Sequence, residues 1–292
     1  MKITSSQLAE KMFSSMKLAE LTAFEKKQEL HTGITDIDTD FGFPSGYYVI
    51  IGNQGVGKSW FALWLSRMFY RHDQVTSVYF SLEMPKPLVR KRILQQWSDL
   101  TKSELETGSS MTNATKLMSE DIIVVDEFYS QDTAKQKPAS FKQWVADYYA
   151  LGYRVFLMDH FHELSGASVN DTNQKTVAEW GLTFQQLCKQ YPDIWLVVFA
   201  QPNSKDFGKQ ILNRNSLRGS KALIDKCDYV LTLNKSIKVD TETGLVIKNQ
   251  DDRKVILYLD KTRYTESPNI GFRLYFAPTG NFYSTSTRDQ NV

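Results

Sequence analysis

Features that would place a protein in several other classes are scarce in this chain of 292 residues. It has two cysteines, Cys188 and Cys227, in no C-x-x-C arrangement, which excludes a disulfide scaffold and a zinc ribbon. No apolar run approaches the ~18 residues of a membrane-crossing helix, and the N-terminus lacks a secretory hydrophobic segment. A soluble, cytoplasmic protein without a membrane partner is therefore expected. Neither sign of charge dominates: 35 Lys and Arg against 33 Asp and Glu leave a net +2. Nucleic-acid binding cannot follow from so even a balance, and any case for it rests on local clusters. Repeats and low-complexity tracts are not evident. Apolar residues make up 41%, ample for a core, so global disorder is excluded.

What stands out instead is Gly52-Asn53-Gln54-Gly55-Val56-Gly57-Lys58-Ser59, which reads G-x-x-x-x-G-K-S. The apolar run Tyr47–Ile51 precedes it, and a segment opened by Trp60 with apolar residues at helical spacing follows. Strand, glycine loop and helix form the context in which this pattern cradles phosphate. Glycines let successive backbone N–H groups point inward, and the helix N-terminus adds favourable partial charge. Lys58 can then reach the β- and γ-phosphates of a nucleoside triphosphate, and the Ser59 hydroxyl can ligate Mg²⁺.

Apolar runs and helical patterns alternate along the chain. Strands are expected at Ser77–Leu82, Ile122–Val125, Tyr153–Met158, Ile194–Ala200 and Tyr229–Leu233, with helices at Lys86–Asp99, 102–118, Phe141–Leu151, Asn173–Tyr191 and Leu217–Lys226. Further strands near Val255–Leu259, Phe272–Phe276 and Phe282–Tyr283 are separated by turn residues and predict antiparallel hairpins. This pattern predicts an α/β fold with a mostly parallel central sheet covered by helices on both faces. Residues 1–30 read as one amphipathic helix or two, with a stripe of Leu8, Met12, Met16, Leu21 and Phe24 that needs a surface to cover. Residues 31–45 read as a turn-rich lead-in to the first strand.

In such sheets ligand chemistry gathers beyond the carboxyl ends of the strands. Four strand ends carry functional groups: the glycine loop, Glu83, Asp159 and Gln201. Asp159 suits support of Mg²⁺, Glu83 suits a general base for the attacking water, and Gln201 suits contact with the γ-phosphate. His160 and His162 flank Phe161, an H-x-H pair able to bind a transition metal; with no third ligand cluster beside it, lining the nucleotide site or the surface is the better reading. Lys205, Lys209, Arg214, Arg218 and Lys221 stand against Asp206 alone in a glycine- and asparagine-rich stretch. That combination suits contact with a single-stranded nucleic-acid backbone, and equally a solvated charge run. Lys261 and Arg263, one residue apart on an extended segment, face the same way.

Together these residues resemble a known family. The lead-in Thr32-Gly33-Ile34-Thr35-Asp36-Ile37-Asp38, the Gly57-Lys58-Ser59 loop, and Phe80-Ser81-Leu82-Glu83-Met84 resemble the ATPase domain of DnaB-like replicative helicases. So do Asp159, Gln201, Leu217-Arg218-Gly219-Ser220 and Lys261-Thr262-Arg263, in the family's order. The resemblance spans about residues 31–284 and implies a RecA-like core, ATP and Mg²⁺ as ligands, and a hexameric ring with ATP at subunit interfaces. It further implies Glu83 as base, Gln201 as the link from γ-phosphate to DNA, and Lys261 with Arg263 acting on the neighbour's nucleotide. Residues 202–216 would face single-stranded DNA in the channel, residues 1–30 would be the linker helix, and residues 31–292 the ATPase domain. No collar or primase module precedes the linker, which suits a phage or plasmid replication protein served by a separate primase or loader. Two further readings stay open: a RecA-like recombinase or annealing ATPase, and a nucleotide-switched loader that does not translocate.

Overall fold

The computed structural model describes residues 28–107, 122–125, 138–161, 174–202, 211–236, 238–239, 246–247, 253–263 and 270–285. Strands β1 (Gly46–Gly52), β2 (Ser77–Ser81), β4 (Val155–Asp159) and β5 (Trp195–Ala200) are buried at every position. A strand covered on both faces has no polar side to present, so these segments read as unbroken apolar runs. With β3 (Ile122–Val125) and β6 (Tyr229–Lys235) they form the parallel part of a nine-stranded sheet. Its order is β11-β10-β9-β6-β1-β5-β4-β2-β3. Strands β9 (Lys254–Thr262), β10 (Ile270–Phe276) and β11 (Phe282–Ser284) extend one edge by antiparallel pairing, as the turn residues predict. Lys238–Val239 (β7) and Val246–Ile247 (β8) make a separate two-stranded ribbon.

Alternation within each strand divides the core. Tyr48 and Ile50 of β1, Tyr79, Leu157, Val197 and Phe199 face one side, where α2 (Lys58–Asp73) supplies Phe61, Leu65 and Phe69 and α3 (Lys86–Ser98) supplies Val89 and Ile93. Tyr47, Val49, Ile51, Phe80, Phe156, Met158 and Val198 face the other. There α5 (Pro138–Ala150) brings Phe141 and Val145, and α6 (Gln174–Gln190) brings Val177, Trp180, Phe184 and Leu187 at helical spacing. Burying each such side chain is worth about 1.5–3 kcal/mol, and a one-residue slip of any strand would exchange the two sets. Strand β1 lies between β5 and β6, where the strand order turns back, and its carboxyl end is the place such sheets bind ligands.

The structure departs from the sequence reading at the start. Residues 1–27 of the expected linker lie outside the described residues, and residues 28–30 are not helical. Glu29 bridges Pro44, and buried Leu30 donates its N–H to Phe43 O at 3.2 Å. The lead-in also contains a helix, α1 (Thr35–Asp40). Asp38 accepts from Thr32 N–H and Oγ1, both at 2.7 Å, and from Gly33 N–H at 2.9 Å. Those local bonds fold six residues that lack enough apolar periodicity to be read as a helix. Of the expected helix over 102–118, α4 (Lys102–Glu106) is described, closed by a capping box between Thr101 and Glu104. The predicted Leu217–Lys226 helix divides into a 3₁₀ segment, Arg214–Ser220, and α7 (Lys221–Lys226).

Candidate functional site

The glycine loop joins the end of β1 to α2 over Asn53–Gly57. Gly57 caps α2 at φ +105°, and Gly55 lies at φ +76°, both in the region that side chains with a Cβ avoid. The first turn of α2 carries no acidic residue, so its unpaired N–H groups keep their attraction for an anion. Lys58 is buried and donates to Gly52 O at 2.8 Å and Asn53 O at 3.0 Å, folding its ammonium back over the loop. Burial lowers its pKa, against the raising influence of Asp159 and Glu83. The loop is thus a cradle with one concealed cation and two carboxylates within electrostatic reach. Ser59 is half-buried at the helix start. Trp60 lines the cleft beside it with Phe276, Pro278 and Gly280, and the Arg92 guanidinium lies 5.2 Å from its ring centre.

Three adjacent strand ends complete the site. Asp159, at the end of β4, is 1% exposed. Its Oδ2 accepts from the Tyr79 hydroxyl at 2.6 Å, while its Oδ1 is buried with no hydrogen-bond partner among the described residues. Burial first, then Asp159, hold the Tyr79 phenol well above its usual pKa, so it stays a donor. A buried carboxylate oxygen left unpaired is costly unless something electropositive meets it, and the donor chemistry of Asp159 with Ser59 fits Mg²⁺. Glu83 follows β2 in a turn held by Leu82 N–H on Asp159 O at 2.8 Å and by Ser81 Oγ on Met84 O. Its half-exposed carboxylate accepts from His160 Nδ1 at 3.0 Å. Gln201, beyond β5, places its Nε2 at 3.1 Å from the Nε2 of the same imidazole. Glu83, Asp159 and Gln201 therefore lie on adjacent strand ends, and His160 joins them.

Lys261 and Arg263 stand elsewhere. β9 runs antiparallel to β6 and sets Thr262 opposite Tyr229, whereas the glycine loop leaves β1 opposite Leu233. Four residues of strand at ~3.3 Å each put Arg263 more than ~13 Å from the loop, toward the opposite ends of the strands. As expected, the two cations face the same way. Lys261 Nζ donates to Ile224 O and to Cys227 O at 3.1 Å. Arg263 donates to Asp225 O at 3.1 Å and Lys226 O at 3.3 Å, and pairs with Asp228 at 3.5 Å. They cap the carboxyl end of α7. Cys227 beside them is buried, which pushes its thiol up to about 12 and removes it from thiolate chemistry.

Of the basic stretch, Lys205 and Lys209 lie outside the described residues, and Arg218 and Lys221 are placed by backbone alone. Arg214 is exposed, with its N–H on Asp260. Both flanks of 203–210 are anchored at the loop edge of the sheet: Gln201 at the end of β5, and Leu212 by N–H to Asn234 Oδ1 at 2.9 Å near the end of β6.

Residues 29–280 match the family model of the DnaB-like helicase C-terminal domain. The chain belongs to that family. Among solved structures, a protein's ATPase domain is similar at TM-score 0.72 and 16% identity, covering 91% of this chain and 97% of that one. A DnaB-like replicative helicase, described with its interactions with primase, matches at TM-score 0.71 and 16% identity, over 95% of this chain and 70% of that one. A KaiC-like protein of Pyrococcus horikoshii matches at 0.56 and 14%, over 88% and 100%. At these identities the likeness shows the RecA-like fold. No curated protein sequence matches the chain. Among the described residues no helix is long and apolar enough to cross a membrane.

Of the residues of this DnaB-like site, Tyr79 escapes sequence reasoning, and His160 is reached only as one of two histidines that could line the nucleotide site or the surface. Tyr79 was legible only as a polar-tipped residue in an apolar strand. His160 was noted as half of an H-x-H pair; His162 lies outside the described residues, and no metal-binding group of His, Cys, Asp and Glu is found among those described. Its position between Glu83 and Gln201 depends on β4 lying between β2 and β5, which the sequence does not state.

Proposed function

We propose that this chain is the ATP-hydrolysing motor of a ring helicase that translocates on single-stranded DNA. The observation that carries this reading is the convergence of a concealed Lys58, an Asp159 with an unpaired buried oxygen, Glu83 and Gln201 on adjacent strand ends. In this reading, loop N–H groups and Lys58 bind the β- and γ-phosphates, and Trp60 borders the nucleotide. Ser59 and Asp159 would hold Mg²⁺, which when bound neutralises charge developing on the phosphate oxygens. Glu83 takes a proton from water as the water oxygen bonds to the γ-phosphorus and the bond to the bridging oxygen breaks, leaving ADP and phosphate. Gln201 senses the γ-phosphate and passes its state into 203–210, whose Lys205 and Lys209, with Arg214 and Arg218, meet DNA phosphates.

Arg263, with Lys261, serves a neighbouring subunit as a trans-acting finger. The distance between Arg263 and its own loop favours that role over any within one chain. A homo-hexamer follows as the assembly, and a separate primase or loader as the partner class. The deciding experiment is steady-state ATP hydrolysis against protein concentration, with and without single-stranded DNA. A specific rate that rises with both, and falls in Lys58→Ala and Arg263→Ala, supports the motor. Flat, DNA-indifferent, negligible turnover would replace it with the nucleotide-switched loader.

A further inference from the structure

We infer that His160 is a positioning residue that couples Gln201 to Glu83, so that the state of the γ-phosphate contact is transmitted to the base through one imidazole. The inference rests on the motor reading above and names a part of that site. The His160 side chain is 3% exposed, and its two nitrogens meet groups from two different strand ends. A neutral imidazole donates from one nitrogen and accepts at the other. An ionised Glu83 can only accept, so the proton belongs on Nδ1. Nε2 then carries a lone pair, which is what an amide N–H of Gln201 requires. One tautomer serves both neighbours, and a buried ring satisfied on both sides holds its orientation.

The coupling follows from polarisation along this chain of bonds. A hydrogen bond accepted at Nε2 draws density from the ring and strengthens the Nδ1–H donated to Glu83. While Gln201 contacts His160, the Glu83 carboxylate is held in the orientation in which it meets water. When Gln201 turns to another acceptor, the Nδ1–H bond weakens and Glu83 loses that orientation. Leu82, tied to the Asp159 carbonyl, keeps the Glu83 turn in place meanwhile. No contact on the opposite side of the sheet is required.

The test is a double-mutant cycle on DNA-stimulated ATP hydrolysis, with His160→Phe and Gln201→Ala alone and together, and His160→Asn as the conservative variant. His160→Phe is expected to lower kcat about tenfold, a fraction of the ~10²–10⁴ a general base supplies, with KM for ATP within about twofold. Gln201→Ala should then cost less in the His160→Phe background than in the parent, retaining only the loss owed to its own γ-phosphate contact. His160→Asn, which keeps a donor toward Glu83 but cannot reach Gln201, should recover kcat to within about threefold of the parent while showing the same reduced effect of Gln201→Ala. Multiplicative losses in the double variant would overturn the coupling, as would a rise in KM that accounts for the whole effect. If His160→Phe does not fold, the reduced effect of Gln201→Ala in the His160→Asn background decides the matter alone. Glu83→Gln runs beside them: full activity there overturns the base assignment itself, a different failure from additivity in the cycle.

Discussion

Mixing two inactive variants offers a sharp examination of the opposite-end placement of Arg263. Lys58→Ala removes the phosphate-binding half of a site and leaves the finger, whereas Arg263→Ala does the reverse. Within one chain those halves are separated by the length of β6 between Tyr229 and Leu233, so neither variant can repair itself. In a head-to-tail ring each site draws its loop from one subunit and its finger from the next. At equal mixing, about half the loops are intact and about half the facing fingers are intact, so about one quarter of interfaces regain both parts. ATP hydrolysis measured on co-assembled protein, with single-stranded DNA present, should therefore recover to about one quarter of the parental rate per subunit if interfaces act independently. Each variant alone should lie about 10³-fold or more below the parent, the lower range for a lost finger. No mixed ring has every interface complete, so the recovery requires sites that fire independently, which a loss proportional to the share of Lys58→Ala doped into the parent establishes. Given that proportional loss, a mixture that co-assembles, shown by a tag on one variant capturing the other, and still hydrolyses no faster than its parts would refute the trans placement. So would an Arg263→Ala protein that turns over normally.

Three further expectations rest on other parts of the molecule. Because burial lowers the Lys58 pKa, the folded chain binds fewer protons than the unfolded chain between that lowered value and 10.5, so this group makes stability rise with pH across that window. An adjacent triphosphate favours the charged form, so ATP binding between the lowered Lys58 value and 10.5 should take up protons at Lys58 that binding well below that window does not. Calorimetry in buffers of different ionisation heat reads this uptake, and equal heats after buffer correction would contradict it. Gly280→Ala should cost about 2 kcal/mol or more and lower Tm by about 5 °C or more, since φ is +87° and the new Cβ would fall 2.2 Å from the Trp60 ring; an unchanged melt would show that Trp60 yields freely. The His31 imidazole, held above its ordinary pKa by its hydrogen bond to Asp73, stabilises the fold fully below about pH 6.5 and loses that contribution as pH rises through the raised value. Because the ring is about half exposed, His31→Gln should cost no more than about 1 kcal/mol in denaturant titrations at acid pH and nothing at alkaline pH; a pH-independent loss would locate the effect in packing instead.

Much of this protein is written locally. The glycine loop was legible because phosphate binding needs glycines, Lys and Ser at fixed offsets between a strand and a helix, all within one short stretch. The buried strands were legible because burial on both faces leaves only apolar residues, and α6 because its buried positions keep helical spacing. Asp159, Glu83 and Gln201 could be singled out one by one, since a polar residue ending an apolar run has few structural reasons to be there. The lead-in helix α1 escaped because its stability comes from the Asp38 carboxylate rather than from an apolar stripe. What the chain order does not contain is the strand order. Only the sheet sequence β5-β4-β2 brings Gln201, His160 and Glu83 into one row, although 41 and 77 residues separate the bonded pairs. Only the antiparallel return of β9 carries Lys261 and Arg263 toward the opposite ends of the strands. Hydrophobic pattern and loop chemistry are properties of neighbours in sequence, whereas a shared site is a property of neighbours in space, and packing alone determines those.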